Sequence, residues 1–124
     1  MPSRKHLKGA AYDIMHHAVS SMSWLHPHIA QTCREAGLAS LTLDLMRESP
    51  LPPDVRAEQP CVLATQALHR TFVSLLQKLS FTLADVSSAT LKFTASRHAR
   101  DDYTLPCRSE LVTADGRRYE HQMA

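Results

Sequence analysis

Across residues 61–80 the apolar side chains fall on a single helical face, and no other stretch commits the chain so firmly. Cys61, Thr65, Leu68, Phe72, Leu75, Leu76 and Leu79 recur at steps of three and four, while Gln66, Arg70, Ser74, Gln77 and Lys78 lie opposite. Pro60 suits the first turn, where its missing N–H has no intrahelical partner to lose. Burying the large members of this stripe at roughly 1.5–3 kcal/mol each would contribute on the order of 10 kcal/mol before chain entropy is set against it. The helix is expected at the centre of the core, and the rest of the chain must cover it.

Residues 9–36 carry a second stripe: Ala11, Met15, Ala18, Met22, Leu25, Ile29, Cys33 and Ala36. Pro27 falls inside it and removes the bond to the Ser23 carbonyl, so the helix either kinks there or restarts with Pro27 in a new first turn. The phase of the stripe survives the proline, which favours a kink or short break over a large reorientation. Gly37 reads as the stop. Leu41, Leu43 and Leu45 then alternate with Ser40, Thr42 and Asp44, the period of a half-buried strand. Pro50, Pro52, Pro53 and Pro60 mark residues 46–60 as an extended Pro-rich connection.

Residues 82–86 predict one more helical turn, and Ala89, Leu91, Phe93 and Ala95 alternate with Thr90, Lys92, Thr94 and Ser96 as a second strand. A charged turn at 98–102 precedes a strand over 103–112, where Pro106 predicts an edge position or a bulge. Asp115-Gly116 predicts a type I′ hairpin turn that pairs Val112 with Tyr119. The sum is a two-layer α+β domain of order α(kinked)-β-α-β-β-β, with a mostly antiparallel four-stranded sheet and helices on one face. It is expected to be one domain over residues 1–124, with 1–8 flexible. The sequence contains no internal repeat and no low-complexity segment.

Composition narrows the function classes. At 124 residues there is material for one core, and 44% hydrophobic with 21% charged residues excludes disordered, collagen-like and disulfide-scaffold chains. Charges are balanced, six of each sign through residue 62, then eight positive and six negative. That gives no field of the size nucleic acid requires, and residues 97–100 offer no aromatic to stack on a base. Cys33, Cys61 and Cys107 are odd in number and far apart, against a disulfide framework or zinc ribbon, so the reduced cytoplasm is the expected location. Asp13 and the His16-His17 pair break the apolar run a signal peptide needs, and no 18 consecutive residues are apolar, so no membrane association is expected. The glycines, Gly9, Gly37 and Gly116, are too dispersed for a phosphate-cradling loop, a dinucleotide fingerprint or a nucleophile elbow.

Histidine is the residue type that stands out, with five of eight in the first 28 positions: His6, His16, His17, His26 and His28. No two histidines are three or four apart, the spacing of a helical two-ligand site, so neither a metal nor a cofactor is expected. A break at Pro27 would let His26 and His28 converge with Cys33 or His69. His16 and His17 read as solvated helix-face residues. His26 and His69 sit beside apolar stripes and read as partly buried, each with a hydrogen-bond partner. At the rim of a pocket between the kinked helix and the sheet, His26, His28 or His69 would instead serve as the polar group or general base, oriented by Asp13, Asp44 or Asp101-Asp102.

His17, Ser21, Trp24 and His28 form a row outside the core stripe, and the single tryptophan there marks a candidate interaction surface unless the 46–60 connection covers it. Ser40, Thr42, Thr90, Lys92, Thr94 and Ser96 make a polar, lightly charged sheet face, near which Arg108 or Arg117 would meet an anion. The expectation is a non-catalytic association or regulatory domain, forming a homo-oligomer and binding another protein. The alternative is a small enzyme or metabolite-binding protein using a histidine-lined pocket.

Overall fold

The computed structural model describes residues 8–20, 23–95 and 105–123. The elements are α1 (Lys8–Ser20), α2 (Leu25–Ala36), β1 (Ser40–Asp44), α3 (Gln59–Lys78), a 3-10 turn (Leu83–Asp85), β2 (Val86–Thr94), β3 (Cys107–Thr113) and β4 (Arg118–Met123). The strands form one antiparallel sheet in the order β1-β2-β3-β4, so the expected α+β architecture holds. α2 lies against β1, α1 against β3 and β4, and α3 packs on both other helices. Leu41, Leu43, Leu91, Phe93 and Leu111 from the sheet meet Ile14, Leu25, Ile29, Leu68, Phe72 and Leu76 from the helices in one core. Of the start expected to be flexible over residues 1–8, residues 1–7 lie outside the described residues, as does the charged turn at 98–102, whereas Lys8 opens α1.

Proline chemistry decides three local outcomes. At Pro27 the helix restarts: α1 ends at Ser20 and α2 begins at Leu25, which puts Pro27 in a first turn where an absent N–H removes no bond. Gly37 closes α2 in the left-handed conformation at φ 66°. The Pro-rich connection is docked onto the core. The Asp44 N–H donates to the Pro50 carbonyl at 3.0 Å, the Asp44 carboxylate accepts the Met46 N–H at 3.0 Å, and Met46, Leu51, Val55 and Ala57 pack against core side chains. The edge position expected from Pro106 is overturned, because β3 lies between β2 and β4. Pro106 stands just before the strand, where the ladder needs its carbonyl, which accepts the Thr94 N–H at 3.0 Å, and not the donor it lacks.

The hairpin also departs from expectation. Leu111 pairs with Tyr119 and Val112 with Arg118. Gly116 has φ 88° but Asp115 is not left-handed, so the two positive φ values of a type I′ turn are not met. Instead the Gly116 N–H donates to the Thr113 carbonyl at 2.9 Å and the Thr113 N–H to the Arg117 carbonyl at 2.8 Å, closing a three-residue loop with a glycine bulge. The Thr113 hydroxyl donates to the Asp115 carboxylate and braces it. One residue of slip moves Tyr119 to the core face and Arg118 to the open face.

The open face is more ionic than the strand alternation alone implies. Besides Thr42, Lys92 and Thr94 it exposes Arg108, Arg118 and Glu120, with ion pairs Arg108–Glu120 at 2.8 Å and Arg118–Glu110 at 3.8 Å. Among the described residues no helix is long and apolar enough to cross a membrane.

Candidate functional site

Helical spacing aligns two rows on one flank of α3: Gln66, Arg70 and Ser74, and beside them His69, Val73 and Gln77. Glu48 and Ser49, from the loop that follows β1, stand opposite, and together these residues line a cavity of about 440 Å³. The loop is held there by the two Asp44 hydrogen bonds, and the Leu45 N–H donates to the Ala89 carbonyl at 2.8 Å, fixing the Leu45 peptide against the sheet.

The carbonyl of the same residue orients His69. The ring Nδ1 lies 2.6 Å from the Leu45 carbonyl oxygen and the side chain is 8% exposed. A carbonyl only accepts, so Nδ1 carries a proton, and the neutral tautomer selected by that bond has Nε2 as its acceptor. No buried side-chain nitrogen or oxygen among the described residues lacks a partner, and no second hydrogen bond to the ring is present there, so Nε2 is not sealed from solvent, on a residue that lines the cavity. The same fixing of one nitrogen by a backbone carbonyl sets the tautomer of functional histidines in general. Arg70 and Glu48 bring opposite charges to the same walls. The ion pairs among the described residues engage Arg108, Arg117 and Arg118 with Glu120, Asp115 and Glu110, and neither Arg70 nor Glu48.

The candidate histidines have separate partners. His26 is 7% exposed on α2, its Nδ1 accepts the Leu105 N–H at 3.1 Å, and its ring meets Phe93 edge-on with centroids 5.3 Å apart. Burial pushes its pKa below the ordinary 6.5. His28 is half-buried and stands edge-on to Trp24 at 6.1 Å. No hydrogen bond or ring contact among the described residues joins any two of His26, His28 and His69. Only His69 of the three lines the cavity, which lies between α3 and the loop after β1, not between the first helices and the sheet as expected.

The restart at Leu25 divides the expected interaction row. Trp24, 47% exposed, stands edge-on to His28. His17 is exposed on α1 and meets His16 at 6.2 Å, and His16 in turn meets His121 of β4 at 6.3 Å. Ser21 lies outside the described residues, as do Asp101 and Asp102. Asp44 is spent on the Met46 N–H, and Arg108 and Arg117 are held in ion pairs. Cys33, Cys61 and Cys107 are free thiols, all buried; burial raises each pKa, that of Cys107 to about 12. Among the described residues no three histidine, cysteine, aspartate or glutamate side chains are placed to hold a metal ion.

Glu48, Ser49, Gln66, Arg70, Ser74 and Gln77 were not legible as site residues, because the polar flank of an amphipathic helix reads as solvated. The available signal was His69, at the border of that flank. Comparison of the chain with protein-family models, with curated proteins and with solved structures finds no match.

Proposed function

We propose that this chain is a binding domain whose site is the α3 cavity, where a small polar molecule donates a hydrogen bond to His69 Nε2. The observation that carries the reading is His69, its Nδ1 held by the Leu45 carbonyl at 2.6 Å while the residue lines a cavity of about 440 Å³. That volume is within the range of small-molecule sites, and such sites orient their ligands with a few fixed polar groups. No hydrogen bond joins His69 to Ser49 or Ser74, so the arrangement supports binding more than activation of a hydroxyl. Three free, buried thiols suit a cytoplasmic setting.

The test is a native mass spectrum of untagged protein equilibrated with a small-molecule extract of its host cell, beside the variant Ser74→Trp. Ser74 is exposed on the cavity wall, so a large ring there fills the cavity without entering the core. The expected result is a retained small molecule on the natural chain that the variant loses. A bare natural chain, or equal retention by the variant, overturns the reading.

A second reading, self-association, is favoured by Trp24, whose half-exposed indole against His28 has the character of an interface anchor. A dimer mass that Trp24→Ala reduces to monomer would support it, and a monomeric natural chain would remove it.

A further inference from the structure

We infer that the α3 cavity is built for a zwitterion, a free amino acid with a polar side chain whose carboxylate meets Arg70 and whose ammonium meets Glu48. The inference rests on the cavity being a ligand site. Two full charges of opposite sign line it, and neither is engaged in an ion pair among the described residues. A ligand carrying only an anion would cover Glu48 without satisfying it, and one carrying only a cation would do the same to Arg70. Either leaves a partly desolvated charge without a partner, a penalty that discriminates more strongly than a missing contact. A ligand with both charges neutralises both walls.

The remaining lining sets the side-chain class. His69 Nε2 accepts, the Gln66 and Gln77 amides both accept and donate, and Val73 is the apolar member between them. From Gln66 to Gln77 the rows extend about 16 Å along the helix, and about 10 Å of it runs from Arg70 to Gln77, the length an extended polar side chain would follow. A purely aliphatic side chain would make no use of these amides.

The experiment is a titration of the isotope-labelled full chain, following the His69 ring nitrogens and the Arg70 guanidinium by nuclear magnetic resonance. The probes are L-serine, L-glutamine and L-arginine, each beside its N-acetyl derivative, which lacks the ammonium, and its carboxamide, which lacks the carboxylate. At least one free amino acid is expected to shift the His69 Nε2 resonance saturably, with both derivatives weaker by roughly tenfold or more. Arg70→Gln should abolish the discrimination against the carboxamide and leave that against the N-acetyl derivative, and Glu48→Gln should do the reverse. Both residues are exposed, so the variants keep the fold. Derivatives that bind as well as the free amino acids, or variants that leave the discrimination intact, overturn the inference. If no amino acid binds while the chain retains a different molecule that Ser74→Trp loses, the zwitterion fails and the cavity reading stands. If nothing binds and nothing is retained, both fail.

Discussion

The seam between α2 and the sheet and the cavity beside α3 each hold a histidine, 7% and 8% exposed, with Nδ1 turned to the backbone, and the two bonds run in opposite directions. At the seam His26 accepts from the Leu105 N–H; at the cavity His69 donates to the Leu45 carbonyl. The backbone group opposite the ring therefore selects the tautomer, and the tautomer decides what the outer nitrogen can do. His26 uses its lone pair to tie Leu105 to the helix layer. His69 spends a proton on the Leu45 carbonyl and lines the cavity. Burial alone does not separate the two rings; the identity of the backbone partner does.

The largest test of this contrast is at the seam's packing. Phe93 is wholly buried and carries the His26 ring, so Phe93→Ala should lower unfolding free energy by about 3–5 kcal/mol in urea titration. A loss under about 1 kcal/mol would show that the seam is not packed as described. Next comes the seam's hydrogen bond. His26→Ala strands the Leu105 N–H and should cost about 1–3 kcal/mol, part of which His26→Asn restores by offering a carbonyl oxygen near the Nδ1 position. His69→Ala should cost less, about 1 kcal/mol, because water entering from the open cavity can serve the Leu45 carbonyl. Equal losses at the two positions would erase the distinction between a sealed ring and an open one.

The architecture was legible because periodicity carries it. The α3 stripe, the strand alternation and Gly37 all state local geometry directly, and element order follows from them. What failed depended on partners distant in sequence. Pro106 reads as an edge signal only if it lies inside a strand, and whether the ladder needs its N–H depends on Thr94, which the local pattern does not show. Asp115-Gly116 marked a hairpin, but the loop length is set by the Thr113 hydroxyl bracing Asp115, and one residue of slip changed the face of Tyr119. The cavity was least legible of all. His69 was expected to be buried with a partner, and it is, but its tautomer depends on a carbonyl 24 positions earlier, and Arg70 lines a cavity only because the Pro-rich loop brings Glu48 and Ser49 to the same walls.

The smallest effect to measure is the pH dependence that the sealed His26 ring should carry. Burial lowers the pKa of His26 in the folded chain below its ordinary 6.5, so on acidification the unfolded chain takes up this proton first. Stability from this group is complete above pH 6.5, falls as pH drops below that value, and levels off once the folded His26 also protonates. The exposed carboxylates Asp115 and Glu120 are lowered by the Thr113 hydroxyl and by Arg108 respectively, so their contributions are lost only at more acid pH and do not overlap this window. Protonating His26 must break its bond, since the ring nitrogen and the Leu105 N–H would then both be donors. Urea midpoints between pH 7 and pH 5 should therefore fall for the natural chain and flatten for His26→Asn. A slope that survives unchanged in His26→Asn would overturn the assignment of this pH dependence to the buried ring.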